Sequence, residues 1–196
     1  NITDSILYED NHIISAVKPS GVLSQPDSSG KPDILTILKE YIKIKYNKPG
    51  SVFLGLVHRL DMPVSGLMVF ARTSKAASRL SAQIREGKII KKYMAVISGR
   101  MSEKSGRLQN MLLKNKGNIV TEDPEGKRSV LTYEEIAYDP VSDTSLVDIL
   151  LITGRSHQIS VQFSLAEHPL KGDIKYNDIQ DQTQRLHSHL NRPALH

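Results

Sequence analysis

Across 196 residues the chain carries 26 lysines and arginines against 21 aspartates and glutamates, a net charge of +5, and no cysteine. The absence of cysteine excludes a disulfide framework and thiolate metal sites and fits a reducing interior, so the expected location is the cytoplasm. No run approaches the ~18 apolar residues of a membrane span, and no signal-peptide pattern opens the chain.

A chain this long buries roughly 70% of its unfolded surface and is expected to form one domain over 1–196, with an elongated or two-lobed form left open. It opens at Asn1 without methionine and stops at His196 just after an apparent element start, so it reads as a fragment of a longer polypeptide. Ile6-Leu7-Tyr8 and Ile13 to Val17, either side of the polar turn Glu9-Asp10-Asn11-His12, predict two short strands. Lys18-Pro19-Ser20-Gly21 ends the pair, and by residue chemistry alone it is a Pro/Gly-rich loop. A helix follows, with Asp33 as N-cap and Ile34, Leu35, Ile37, Leu38, Tyr41 and Ile42 along one stripe, ending near Asn47-Lys48-Pro49-Gly50.

The most informative stretch is His58-Arg59-Leu60-Asp61-Met62-Pro63-Val64-Ser65-Gly66-Leu67. It lies between two short apolar runs, Val52 to Val57 and Leu67 to Ala71, that predict buried strands, so three titratable or charged side chains sit on a loop with a rigid platform. Pro63 fixes its own backbone and extends Met62, while Ser65-Gly66 supplies the turn into the next strand. Taken alone, an aspartate beside proline is a turn former.

Thr73 or Ser74 then caps a helix with Ala76, Ala77, Leu80 and Ile84 on its apolar side and Gly87 at its C-terminal end. Lys75 and Arg79, four apart, share one face. From Met62 to Ser102 eight cations stand against the single acid Glu86, the footprint of a nucleic-acid surface or else of a solvated face. With no Trp and three Phe, a platform for stacking single strands is disfavoured. Lys88 to Ser98 predicts a long strand with Ile89, Lys91, Tyr93, Ala95 and Ile97 on one side. Met101 to Lys127 is expected to be irregular, and Val130 to Ala137 and Ser145 to Ile152 to be strands joined through Asp139-Pro140. Thr153-Gly154-Arg155 leads into a helix starting near Ser156 and ending before Pro169, with Arg155 at its mouth. Strands in groups with interspersed helices, and no regular βαβ alternation, indicate an α+β fold.

Taken together, four ordered segments resemble the RluA-type pseudouridine synthases, which isomerise uridine in RNA. They are Lys18-Pro19-Ser20-Gly21 with Gln25-Pro26-Asp27; His58 to Leu67; Lys91 to Gly99; and Thr153 to Ile159 with His168 to Tyr176. The closing Ala194-Leu195-His196 is similar to the start of the family's last strand. The resemblance implies a bent, mostly antiparallel sheet flanked by helices, with Asp61 as the catalytic aspartate in a cleft and Tyr93 in the active site. His58, Arg59, Arg155, His157, Gln158, Lys75 and Arg79 would contact or shape the RNA substrate. Ribosomal or transfer RNA would be the partner, bound by a monomer. The isomerisation gains and loses no electrons, so neither a cofactor nor a metal is expected. Three positions depart from the family pattern: Ser160 stands where the family carries an arginine that pairs with the aspartate, Glu167 replaces a common glycine, and Val64 a common threonine. Two other classes stay open: an RNA-binding homologue that has lost catalysis, and a carboxylate-dependent hydrolase, disfavoured because no second acid is placed as a partner to Asp61.

Overall fold

A tight turn starts the fold. Asp10 accepts the backbone N–H groups of His12 and Ile13, both at 2.7 Å, which folds β1 (Ile6–Glu9) back on β2 (Ile13–Lys18). The structure, a computed structural model, describes residues 2–177. Its contacts divide the chain between Ile89 and Ile90 into two compact units.

In the first unit β1 and β2 join β3 (Gly55–Leu56) and β4 (Gly66–Ala71) in a four-stranded sheet of order β1-β2-β4-β3, every pair antiparallel. Helix α1 (Ile34–Lys45) begins where predicted, with the Asp33 carboxylate accepting Thr36 N–H. Its Ile34, Leu38 and Ile42, one turn apart, pack with Ile14, Ala16, Met68 and Phe70 of the sheet. Helix α2 (Ser74–Arg85) is capped by Thr73, and Gly87 closes it at φ +68°. No residue of α2 is fully buried, so it lies on the surface of the unit.

In the second unit β5 (Lys91–Ser98), β6 (Ser105–Lys114), β7 (Val120–Glu122), β8 (Lys127–Asp139) and β9 (Thr144–Leu151) form an antiparallel sheet of order β5-β9-β8-β6-β7. Helix α3 (Gln158–Leu165) covers one face, its Phe163 set edge-on to Tyr133 within a core of Ile97, Leu131, Val147 and Ile149. The α+β class is as the sequence pattern predicts, and the antiparallel pairing is as the resemblance implies.

Four expectations are corrected. The run from Val52 to Val57 pairs only at Gly55 and Leu56, and Phe53 is 53% exposed. Beyond Leu56 the edge of β4 is taken by an imidazole: Val69 N–H donates to His58 Nε2 at 3.0 Å. The strand expected from Lys88 starts at Lys91, because Lys88 N–H closes the end of α2 on Gln83. Residues 101–127 hold two strands, not an irregular segment. Their signal is weak because the inward positions of β6 include Asn110 and Gly106, where Tyr133 lies so close that an added Cβ would stand 2.7 Å from its hydroxyl. Helix α3 starts two residues later than expected, since His157 holds a left-handed backbone, φ +51°, that cannot belong to the helix. The expected strand start at Ala194 to His196 lies outside the described residues.

Candidate active site

In the first unit the site is a loop fastened to another loop. Lys18 ends β2 with its side chain on the inward side, after Ile14 and Ala16, and is 0% exposed. Its ammonium donates to three carbonyls, of Val22 (2.7 Å), Pro19 (3.0 Å) and Met62 (3.2 Å). Gly21 N–H also reaches Met62 O at 2.9 Å, from a backbone at φ +83° that glycine adopts without strain. Ser20 Oγ donates to Pro63 O, while Ser24 Oγ donates to Leu60 O and accepts Leu60 N–H. Leu60, Met62 and Pro63, on either side of Asp61, are thus tied by their backbone to the segment from Lys18 to Ser24. Asp61 itself stays exposed, and its own carbonyl takes Val64 N–H in the turn made by Pro63.

Burial pushes the Lys18 ammonium below the usual lysine range, and the negative charge of Asp61 pulls it back up. Lys18 is therefore a cation electrostatically coupled to Asp61. His58, half-buried, backs the same loop through its bond to Val69. Arg59 is exposed, and with His58, Gln25, Leu56 and Val57 it lines a depression of about 240 Å³. Lys75 and Arg79 are exposed on α2. Sequence reasoning missed Lys18 and Ser24. The alternation of β2 held a signal for Lys18, which falls on the buried parity; Ser24 carried none.

In the second unit Tyr93 is half-buried on the inward side of β5, packed against the core under α3. Arg155 is exposed on the connection from β9 to α3. Gln158, 2% exposed, does not reach outward: its Oε1 accepts Arg155 N–H (3.0 Å) and the Thr153 hydroxyl (2.9 Å), and its amide donates to Gln162 (2.9 Å). Gln162 in turn donates to Asn110 and to Ser129 O. A chain of buried amides therefore holds the turn that presents Arg155. His157 Nδ1 shares a hydrogen bond with the Tyr176 hydroxyl, which also accepts Val120 N–H. Lys91, two residues before Tyr93, is half-buried; burial, and then the guanidinium of Arg155, press its ammonium below the usual range.

The first unit thus carries a fixed aspartate loop, and the second a tyrosine-bearing edge strand and a cationic turn. A family model described as RNA pseudouridylate synthase matches residues 12–165, a span holding all of them. The chain belongs to the RNA pseudouridylate synthase family. Among relatives in this family, a ribosomal large subunit pseudouridine synthase C of Vibrio vulnificus is 34% identical over 196 residues, all of this chain and 60% of the relative. Its counterpart in Buchnera aphidicola is also 34% identical, over 202 residues and 62% of that protein. The chain thus spans about 60% of the length of these relatives. The fold of human RNA pseudouridylate synthase domain containing 4 superposes with a TM-score of 0.75 at 23% identity, over 89% of this chain and 69% of that one. Human RNA pseudouridylate synthase domain containing 1 gives 0.70 at 22% identity, over 92% and 72%.

Proposed function

We propose that this chain isomerises uridine to pseudouridine in ribosomal RNA. The single observation that carries the reading is the fastening of the Asp61 loop: an exposed carboxylate on a backbone held at both flanks, with a buried ammonium beneath it. The reaction breaks the bond from C1′ of the ribose to N1 of uracil and makes one from C1′ to C5, after which C5 loses a proton and N1 gains one. No electron is gained or lost. The step calls for an ionised carboxylate that engages the sugar or takes a proton at a base extruded from its stack, and Asp61 is that group. A loop that cannot drift keeps the reacting atoms in line, where a displacement of about 1 Å costs on the order of a hundredfold in rate.

Tyr93 packs against the extruded base and assists removal of the C5 proton. Arg59 orients Asp61 or fills the vacated stack, and His58 shapes the loop. Lys75, Arg79 and Arg155 grip phosphates. Gln158 and His157 act through the Arg155 turn, which fits the burial of the amide. The names of the relatives direct the substrate toward ribosomal RNA, with transfer RNA as the second candidate; the chain acts as a monomer in the cytoplasm.

A second reading, an RNA-binding homologue with reduced catalysis, rests on Ser160, which stands where the resemblance places an arginine paired with the aspartate. Incubating the chain with ribosomal RNA transcripts and mapping pseudouridine separates the two. New pseudouridine at defined uridines supports the enzyme; RNA that is bound but unmodified supports the homologue.

A further inference from the structure

We propose that Lys91 and Arg155 together form a site for one phosphodiester group of the RNA backbone, on the strand whose extruded base Tyr93 faces. The inference deepens the reading above and rests on RNA being the ligand.

Three observations carry it. Lys91 pairs with Leu151 at the last rung of the β5–β9 ladder, so it stands beside the connection that leads from β9 to Arg155. There its ammonium crosses Gly154: a Cβ built on that glycine would lie 2.9 Å from Nζ. The ammonium thus lies over the residue that precedes Arg155. Second, among the described residues neither cation is paired with an acid. The ion pairs among the described residues join Glu9 to Lys45 and Arg72, Glu86 to Lys88, and Glu135 to Arg100, and none includes Lys91 or Arg155. Third, the turn is rigid, because Arg155 N–H is held by Gln158, which is itself held by the amide chain through Gln162 to Asn110.

Half-burial of Lys91, and then the positive charge of Arg155, both disfavour its ammonium. Two neighbouring cations on a turn fixed by buried hydrogen bonds offer an anion a preformed place. A phosphodiester suits it well: one oxygen can meet the ammonium as a point charge while the planar guanidinium takes the other. Because Lys91 is partly desolvated, its interaction with a phosphate is less screened than those of the fully exposed Lys75 and Arg79. The site also lies on the same strand face as Tyr93, two residues away, so a phosphate held there places its nucleotide along that face.

The test uses the full chain and a uridine-containing fragment of ribosomal RNA, with affinity measured across a series of KCl concentrations. Lys91→Met and Arg155→Met are each expected to weaken binding about tenfold at low salt and to lower the log–log salt slope by about 0.7, the value for one phosphate on a single strand. Because they share one phosphate, the double variant loses well under the product of the two single losses. Lys91→Arg keeps most of the affinity. In parallel, inorganic phosphate is titrated against the chain while the Lys91 ε-methylene signal, assigned with Lys91→Arg, is followed by NMR. A shift there in the wild type, lost in Arg155→Met, is expected; circular dichroism of each variant confirms the fold. Multiplicative losses in the double variant, or an unmoved Lys91 signal, overturn the shared site even if pseudouridine is formed. A wild type whose Lys91 responds to phosphate but which holds no RNA keeps the anion site and overturns the RNA reading instead.

Discussion

Lys18 is the residue whose role is least apparent from its type and most apparent from its surroundings. A lysine at 0% exposure is rare unless its charge is answered, and here three carbonyls and a neighbouring carboxylate answer it. In Lys18→Met the stem still fills the space but the three carbonyls lose their donor. Each buried polar group left unsatisfied costs about 1–3 kcal/mol, partly offset because the ammonium no longer has to be desolvated. The expected outcome is a net loss of about 2 kcal/mol in urea denaturation and a drop in single-turnover rate of tenfold or more, with RNA affinity within about twofold of wild type. Ser160 allows a complementary experiment. Ser160→Arg restores the residue type that the resemblance places beside the aspartate and is expected to raise the single-turnover rate. An unchanged rate would mean that another cation, such as Lys18, Arg59 or Arg155, already supplies the charge. The loop that carries Asp61 was legible in the sequence because proline, serine and glycine mark it, whereas the bridge through Ser24 was not, since a serine between two loops looks the same whether or not its hydroxyl bridges them.

Among the elements, β1 and α1 are joined by one carboxylate. Glu9 accepts from Lys45 (2.7 Å), Tyr46 (2.8 Å) and Tyr41 (3.0 Å) and pairs with Arg72 (3.0 Å), which also lies over the Tyr46 ring. Burial alone would raise its pKa, but the hydrogen bonds from Lys45, Tyr46 and Tyr41 outweigh burial and hold it below the usual glutamate range. A carboxyl depressed in the folded state binds its proton more weakly there than in the unfolded chain. Its stabilisation is therefore present above the unfolded value, about 4.3, and fades as pH falls through the folded one. Glu9→Gln is expected to cost about 2 kcal/mol at pH 7 and markedly less at pH 3, read from denaturation midpoints at the two pH values. An equal loss at both would show that packing, not charge, matters at this position. Both long helices were legible because their ends carry specific chemistry, Asp33 and Thr73 at the start and Gly87 at the close of α2. Strand β6 was not, since Gly106 and Asn110 take inward positions normally held by apolar residues. Strand β3 was over-read for the opposite reason: its apolar run is long enough, but His58 takes the hydrogen bond that would have extended the ladder.

At the scale of the molecule, the net charge of +5 is unevenly distributed. Acids such as Glu9 and Glu135 are consumed in internal pairs, while Lys75, Arg79 and Arg155 face solvent. Such a surface attracts RNA in a way that depends on salt and little on sequence. The double variant Lys75→Ala, Arg79→Ala is expected to weaken binding of ribosomal and unrelated RNA alike, with the salt slope falling by about 0.7 for each phosphate no longer neutralised. Weakening confined to one RNA would assign α2 to sequence reading. The order of the motifs, more than any one of them, made the family legible from sequence, because four segments in a fixed succession over nearly the whole chain are improbable by chance. The division into two compact units was not legible, as no linker composition marks residues 89 and 90.

The most direct measurement is a matched comparison of wild type and Asp61→Asn on the same ribosomal RNA, scoring bound RNA and pseudouridine formed. If a fixed carboxylate on the bend after His58-Arg59-Leu60 performs the chemistry, Asp61→Asn binds RNA as tightly as wild type and forms no detectable pseudouridine. Product at the wild-type rate from Asp61→Asn would contradict it.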